Sequence, residues 1–530
     1  MRIDKVYIED FKNLKQFSID LDENEMKTVL LGQNAVGKSN FMEALILIFK
    51  FLDLSNDTKR EPTPFEYYIK YQKGEYYIEI SYKKGAYTIL VNNEKIKSLK
   101  SFFSKEGKEL YQPKYVFTYY SGLSNKLKEH FWKHQNNFYK KITSDDFTEN
   151  EEELDSLRKL FYVQIVHSYF VLLAYFTHEE EESNIFLREV LNIVDIESIL
   201  FVLKMPDWAQ SRIKENPNDI FWTAKGLVRP FLDKLWNLSI APIYQTVKVQ
   251  TDFDDFDTQD QLYLYLKGKE ELKELASIYT SNTALFKALE STYISKLISE
   301  VKIKVKKEID GEVTFKELSE GEQQLLTVLG LLKFTKDEDS LILLDEPDTH
   351  LNPIWKWQYL EFLDNVVKRP ETTQIIINTH DPLVIGSLKK EEVRIFRRDT
   401  VSGKTIVESP LISPREMSIQ KVLTSDLFGL PSIMNKEFED KLNEKRYLQA
   451  KMIANEISED EIEKYEKLKS YLDEIGFYET TSDSRYNLFL KLTNQKKEFA
   501  YRSFTNIERE ELDKIAKEVL SEINGEEQVI

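Results

Sequence analysis

Residues 28–39 read Thr-Val-Leu-Leu-Gly-Gln-Asn-Ala-Val-Gly-Lys-Ser, an apolar run that passes at once into a glycine loop. Thr28 to Leu31 has the composition of a buried strand, and Phe41 to Leu52 is apolar at helical spacing, so the loop lies between a strand and a helix. Gly32 to Ser39 matches the phosphate-binding pattern in full, in the local context where that pattern has a mechanism. Loop N–H groups, with Asn34 and Gly37 in the loop and Asn40 in the first helical turn, cradle phosphate oxygens that the helix N-terminus also attracts. Lys38 is placed to reach the β and γ oxygens of ATP, and the Ser39 hydroxyl to ligate Mg²⁺.

A second stretch supplies what such a loop lacks. Leu341 to Pro347 (LILLDEP) is a buried strand ending in two carboxylates, where open parallel sheets bind ligands. Asp345 is expected to hold the Mg²⁺ shell, and Glu346 to polarise an attacking water as general base. Upstream, Leu318 to Gln324 (LSEGEQQ) opens a helix with Ser319 and Glu322 in capping-box spacing. A hydroxyl and glycine N–H groups at an exposed helix start make an anion site, suited to a γ-phosphate presented by another subunit's loop. Ser319, Gly321 and Glu322 are therefore candidate nucleotide contacts. Asn378-Thr379-His380-Asp381 ends the next apolar strand and places one imidazole near the phosphates. The candidate catalytic set is Glu346, His380 and Lys38.

The rest of the chain bounds the answer. At about 150 residues per domain, 530 residues imply two to four units. A 41% hydrophobic content with only 16 Gly and 14 Pro is that of a globular protein. Apolar runs such as Ala44 to Phe49 fall far short of the roughly 20 residues of a membrane span, and no signal-peptide pattern follows Met1, so a cytoplasmic protein without membrane contact is expected. Zero cysteines exclude disulfides, thiol nucleophiles and cysteine-held metal. A net charge of −18 argues against a surface coated with nucleic acid.

Four regions are expected. Residues 1–125 hold two exposed strands, the glycine loop and an antiparallel meander from Tyr67 to Ile96, with turns at Lys73-Gly74, Lys84-Gly85 and Asn92-Asn93. Residues 126–300 read as a helical insertion, with Leu157 to Phe176 and Leu262 to Leu297 as amphipathic helices. Residues 301–412 complete an α/β head of mixed sheet and flanking helices, and 413–530 form a helical, charged tail suited to docking a partner. His130 and His134, at i and i+4, read as an exposed helix face, because no acidic partner set is visible beside them. Lys302, Lys304 and Lys306, and the cluster Arg394, Arg397 and Arg398, read first as solvated surface and second as nucleic-acid contacts.

In their order, these motifs resemble the P-loop ABC-type ATPase heads of the SMC, Rad50 and RecF group, over residues 1–125 and 310–400. The resemblance implies a homodimer or higher oligomer in which two heads sandwich ATP, Ser319 and Gly321 acting on the partner's nucleotide. The compact insertion departs from the long coiled coil of SMC proteins, and Gln112 is the nearest counterpart of the Q-loop glutamine. A closer likeness is to the PtuA-type ATPase subunits of Septu and retron anti-phage systems. It is carried by Asn34 to Asn40, Tyr119 to Asn125 and Leu423 to Pro431 (LTSDLFGLP). That likeness implies a subunit controlling an HNH nuclease (PtuB-type), with nucleic acid or a retron reverse transcriptase–DNA complex as a further partner. The alternative is a RecF-like repair ATPase acting directly on DNA; a third is a scaffold that binds ATP and scarcely hydrolyses it. The Glu and Asp-x-Asp pattern of OLD-type nucleases is not found after residue 400.

Overall fold

The computed structural model describes residues 1–122, 126–142, 159–177, 186–209, 219–250, 255–308, 311–334, 339–367, 370–430, 432–453, 457–474 and 517. It divides into two compact units, Met1–Leu430 and Pro431–Ile530.

The first unit is built on one sheet. Its elements are strand β1 (Lys27–Gly32), helix α1 (Lys38–Leu54), strand β2 (Tyr115–Tyr120), helix α2 (Val166–Tyr175), helix α3 (Glu320–Phe334) and strands β3 (Ser340–Asp345), β4 (Gln374–Asn378) and β5 (Val393–Arg398). The seven strands lie in the order Thr405–Glu408, β5, β1, β4, β3, β2, Leu160–Val163, parallel throughout except for the antiparallel edge strand Thr405–Glu408. Parallel strands are covered on both faces and need side chains that are apolar on both, which is why β3 and β4 are buried at every position. Leu341, Leu343 and Ile376 face one core with α1, while Ile342, Leu344, Ile375 and Ile377 face a second with α2 and α3.

Against the α1 side stands a six-stranded sheet containing Arg2–Phe11, Leu14–Asp20 and the meander from Tyr67 to Lys95. The meander turns where expected, with positive φ at Gly74, Lys84, Gly85, Asn92 and Asn93. The first two strands are not exposed: Val6, Ile8, Phe17 and Ile19 are buried, because one face of each packs on α1.

The insertion is mixed: besides helices Trp132–Ile142, α2, Val228–Leu238, Lys269–Ala276 and Asn282–Ile294 it holds a sheet that the helical expectation lacks. Residues 193–314 form a five-stranded antiparallel sheet in the order Ile243–Gln250, Phe256–Leu266, Ile193–Lys204, Ile298–Lys307, Gly311–Thr314. The central strand hides its period of two because its pairing with Ile298–Lys307 shifts register at three places, each a bulge that moves later side chains to the other face. In Leu262 to Leu297 the alternation of buried Leu262, Leu264 and Leu266 belongs to a strand, and the helices Lys269–Ala276 and Asn282–Ile294 begin only after Gly268. Likewise Leu160–Val163 is the sheet's edge strand, and α2 starts after it; 157 and 158 lie outside the described residues.

The first unit reaches Leu430, past the expected boundary at 412, and includes the helix Ile419–Thr424. In the second unit the helices Lys436–Ile453 and Glu459–Glu474 pair through Lys451–Glu461 (2.6 Å) and Lys464–Glu444. Of the remaining tail only residue 517 is described.

Helices α2 and α3 meet at Gly330, where an added Cβ would lie 2.2 Å from Val171 Cγ1. Alanine normally favours a helix interior over glycine by about 1 kcal/mol. Here Val171 is β-branched and held in its helical rotamer, so overpacking dominates and Gly330→Ala is expected to destabilise by about 1–3 kcal/mol. Chemical denaturation of Gly330→Ala, Val171→Ala and the double variant checks this: the double variant should recover part of the loss.

Candidate functional site

The glycine loop leaves β1 through Gly32, whose φ of 136° and a would-be Cβ 2.2 Å from Phe396 O on β5 admit no side chain. It enters α1 through Gly37, at φ 108°, and no side chain caps the helix start. The first N–H groups of α1 are thus left for a ligand with negative charge. Lys38 curls back over the loop, donating to Gly32 O (2.6 Å) and Gln33 O (3.0 Å). Burial draws its ammonium down to about 8, against the opposing pull of Asp345 and Glu346.

Opposite the loop, β3 ends at Asp345 and β4 at Asn378, neighbours in parallel register. Asp345 is buried; its Oδ1 accepts from Asn378 Nδ2, while Oδ2 has no partner. Asn378 Nδ2 also stands 3.5 Å from Ser39 Oγ, and Asn378 Oδ1 is unpartnered. Burial raises the Asp345 pKa, with Asn378 and Ser39 acting against it. A hydroxyl, a carboxylate and an amide oxygen with lone pairs to spare are the donors a hard divalent cation takes, so the residues fit Mg²⁺.

Glu346 follows in the left-handed region at φ 53°, its N–H held by Asn378 O at 2.8 Å. Such strain in a non-glycine residue persists where the surroundings impose it, and here it turns the carboxylate towards His380, 3.6 Å from its Nε2. Burial, then Lys38, lowers the His380 pKa, which keeps the imidazole neutral near pH 7. Loop, Asn378, Glu346 and His380 line one cleft of ≈ 720 Å³.

Two residues of this cleft escaped the sequence reading. Lys12 and Asn13 come from the turn between the first two strands. Asn13 donates to Ala35 O (2.9 Å) and accepts from Asn40 (2.8 Å), so Asn40 ties the loop to its scaffold. Lys12, Lys126 and His130 surround Glu43 of α1; burial raises that carboxyl, but these contacts bring it to about 2. A second cleft of ≈ 520 Å³ adjoins Gly32 to Asn34 and is closed by Asp426 to Gly429, with Arg397 Nη2 donating to Asp426 O at 2.8 Å. Part of the LTSDLFGLP stretch thus sits beside the glycine loop; 123–125 of the other likeness-bearing stretch lie outside the described residues.

Ser319, Gly321 and Glu322 do not line the cleft. Ser319 and Glu322 cap α3 reciprocally, and Lys307 holds the second Glu322 oxygen at 2.5 Å. Gly321 packs under His350 O, which a Cβ would meet at 2.6 Å. Within this chain Glu322 fixes the helix start. Gln112, buried at the opposite end of β2 and donating weakly to Leu52 O, is far from the Q-loop role considered for it.

The other expectations shift as well. His130 and His134 are not an exposed face: His134 is buried 3.0 Å from Asp53, and both find carboxylates on α1, which local spacing could not reveal. Lys302, Lys304 and Lys306 pair with Glu300, Glu312 and Glu197. Arg394 is buried against backbone carbonyls and Arg397 pairs with Glu408 and Asp426, which leaves Arg398 as the exposed member of that cluster. Among the described residues no group of three or more His, Asp or Glu is placed to hold a metal, and no helix is long and apolar enough to cross a membrane.

The chain is 27% identical over 178 residues to the Septu protein PtuA of Bacillus mycoides (strain KBAB4), a match spanning 32% of this chain and 24% of that protein. Two solved structures cover all of their own length: an Smc head bound to the C-winged helix domain of ScpA (79% of this chain, 14% identity, TM-score 0.33) and an SMC head domain from Thermotoga maritima (78%, 13%, 0.32). Superpositions this loose add nothing to the fold described above. Residues 27–386, which run from β1 through the His380 loop, match the family described as "AAA domain, putative AbiEii toxin, Type IV TA system", and the chain belongs to that family of ATPases.

Proposed function

We propose that this chain is the ATP-hydrolysing head of an anti-phage complex, of ABC type, which associates with a second head on ATP and thereby controls an HNH nuclease. The observation that carries the reading is the half-partnered Asp345, buried behind Ser39 and Asn378, which line one cleft with Lys38. ATP and Mg²⁺, when bound, supply the transferable phosphoryl group and the neutralisation of its charge. Ser39 and Asp345 would hold the metal, and Lys38 would exchange its two carbonyl partners for phosphate oxygens. Glu346, turned into the cleft, takes a proton from water, and neutral His380 holds that carboxylate in place. Ser319, exposed outside its own cleft at the capped start of α3, would meet the nucleotide of a second copy, with Gly321 behind it. The likeness to Septu PtuA favours the defence role over DNA repair, and the neutralised lysine strand gives direct DNA loading no support. The chain itself is proposed not to cut nucleic acid.

Two outcomes test the site. Phosphate needs the Lys38 ammonium, whose pKa of about 8 lies below the ordinary lysine value. Under pH 8 the charged form is already present; above it a proton must bind with the ligand, so affinity falls as pH rises. ATP titrations of the unmodified chain should show about a tenfold loss from about pH 7 to pH 9; a flat profile removes Lys38 from the phosphate site.

Association tests the role in trans. Glu346→Gln should bind ATP, turn it over at least about a hundredfold more slowly and sediment as a dimer. Adding Ser319→Arg should leave nucleotide affinity nearly unchanged and abolish the dimer. Persistence of the dimer contradicts the assignment.

A further inference from the structure

A pocket of ≈ 700 Å³ lies in the insertion, between the helical segment 128–142, the turn after Lys204 and the end of the helix Asn282–Ile294. Its volume is that of a small-molecule site, which typically spans about 300–1,000 Å³. It shares no residue with the clefts at the glycine loop.

The lining has a definite chemistry. Trp132 stands at the rim with 55% of its surface exposed, an unusual place for the largest apolar side chain. Trp208 lies half-buried in the wall, its indole N–H donated to Ser295 O at 2.9 Å, which fixes the ring. Tyr293 adds a third ring, and Asn136 and Gln259 bring amides able to donate and accept. Lys128 and Lys204 are half-exposed and neither pairs with a carboxylate among the described residues. The neighbouring strand, by contrast, pairs Lys302, Lys304, Lys306 and Lys307, and Lys296 at the rim takes up Asp207 at 3.3 Å. In a chain of net charge −18, two unpaired ammonium groups in one concavity mark a place for an anion.

We propose that this pocket binds a nucleotide unit, its base stacked on Trp132 and Trp208 and its phosphate between Lys128 and Lys204. Aromatic faces accept any base and lysines track the phosphate, the combination by which proteins hold single-stranded nucleic acid. A free mononucleotide and one residue of a single strand offer the same chemistry. The inference does not rest on the proposed nuclease control. On its far side the segment meets α1 through His130–Glu43 and His134–Asp53, so an occupied pocket adjoins the helix that carries the glycine loop.

The test uses the full chain carrying Lys38→Ala, so that the glycine loop does not contribute, and a fluorescein-labelled ten-nucleotide oligo(dT) followed by anisotropy. Binding that weakens with salt is expected. Trp132→Ala and Lys204→Glu should each weaken it about tenfold or more, and Lys204→Arg should restore it. Competition by unlabelled dTMP near the oligonucleotide's own affinity assigns the pocket to free nucleotides; its failure to compete assigns it to single strands. Two results overturn the proposal: no binding of either probe, or binding untouched by both Trp132→Ala and Lys204→Glu in variants whose unfolding temperature matches the parent.

Discussion

Asp345 ends its strand fully buried, with one oxygen held by an amide and the other facing no donor. Leaving a carboxylate so placed costs several kcal/mol unless a cation takes the empty oxygen or the group protonates. Burial raises its pKa accordingly. Much of the head serves this one position. Parallel pairing of β3 with β4 brings Asn378 alongside, and β1, next in the sheet, delivers Ser39 and Lys38 to the same end. A carboxylate so placed is destabilised in the empty protein, and in the proposed site a divalent cation together with phosphate would stabilise it and so favour the ligand-bound state.

The strain at Glu346 follows from the same geometry. Asn378 serves two masters: its side chain holds Asp345, and its carbonyl accepts from the N–H of Glu346, the residue at φ 53°. Because both bonds come from one residue, a shift of β4 would displace Asp345 and Glu346, the proposed metal ligand and general base, together. His380, two residues on, moves with them. Through Thr379, whose hydroxyl donates to buried Asp348 at 2.8 Å, the same loop reaches the segment that packs under Gly321. A continuous chain of contacts therefore joins the cleft to the capped start of α3.

How much of this was legible depended on where the signal lay. The glycine loop and the strands ending in Asp345 and Asn378 announce themselves because a doubly covered parallel strand is apolar at every position and glycine is obligatory where a Cβ meets Phe396 O. Asn378 was in the quoted motif, yet its role depends on a neighbour 33 residues away. Lys12 and Asn13 carry no pattern at all; they matter through a turn packed on the loop. The sheet in the insertion carries little signal because bulges destroy the period of two in Ile193–Lys204, and the histidine pair carries none because its carboxylates come from α1. In each case the missing information was a contact between distant segments.

The central claim is that Asp345 is unfavourable in the empty protein and is there for the metal. Thermal unfolding of Asp345→Asn beside the unmodified chain, each with and without Mg²⁺ and ATP, tests it most directly. The account predicts that Asp345→Asn unfolds at the same temperature as the unmodified chain or higher when empty, since an amide needs no cation, and that it loses the stabilisation Mg²⁺ adds to ATP. A variant less stable when empty that keeps the full Mg²⁺-dependent shift would contradict it.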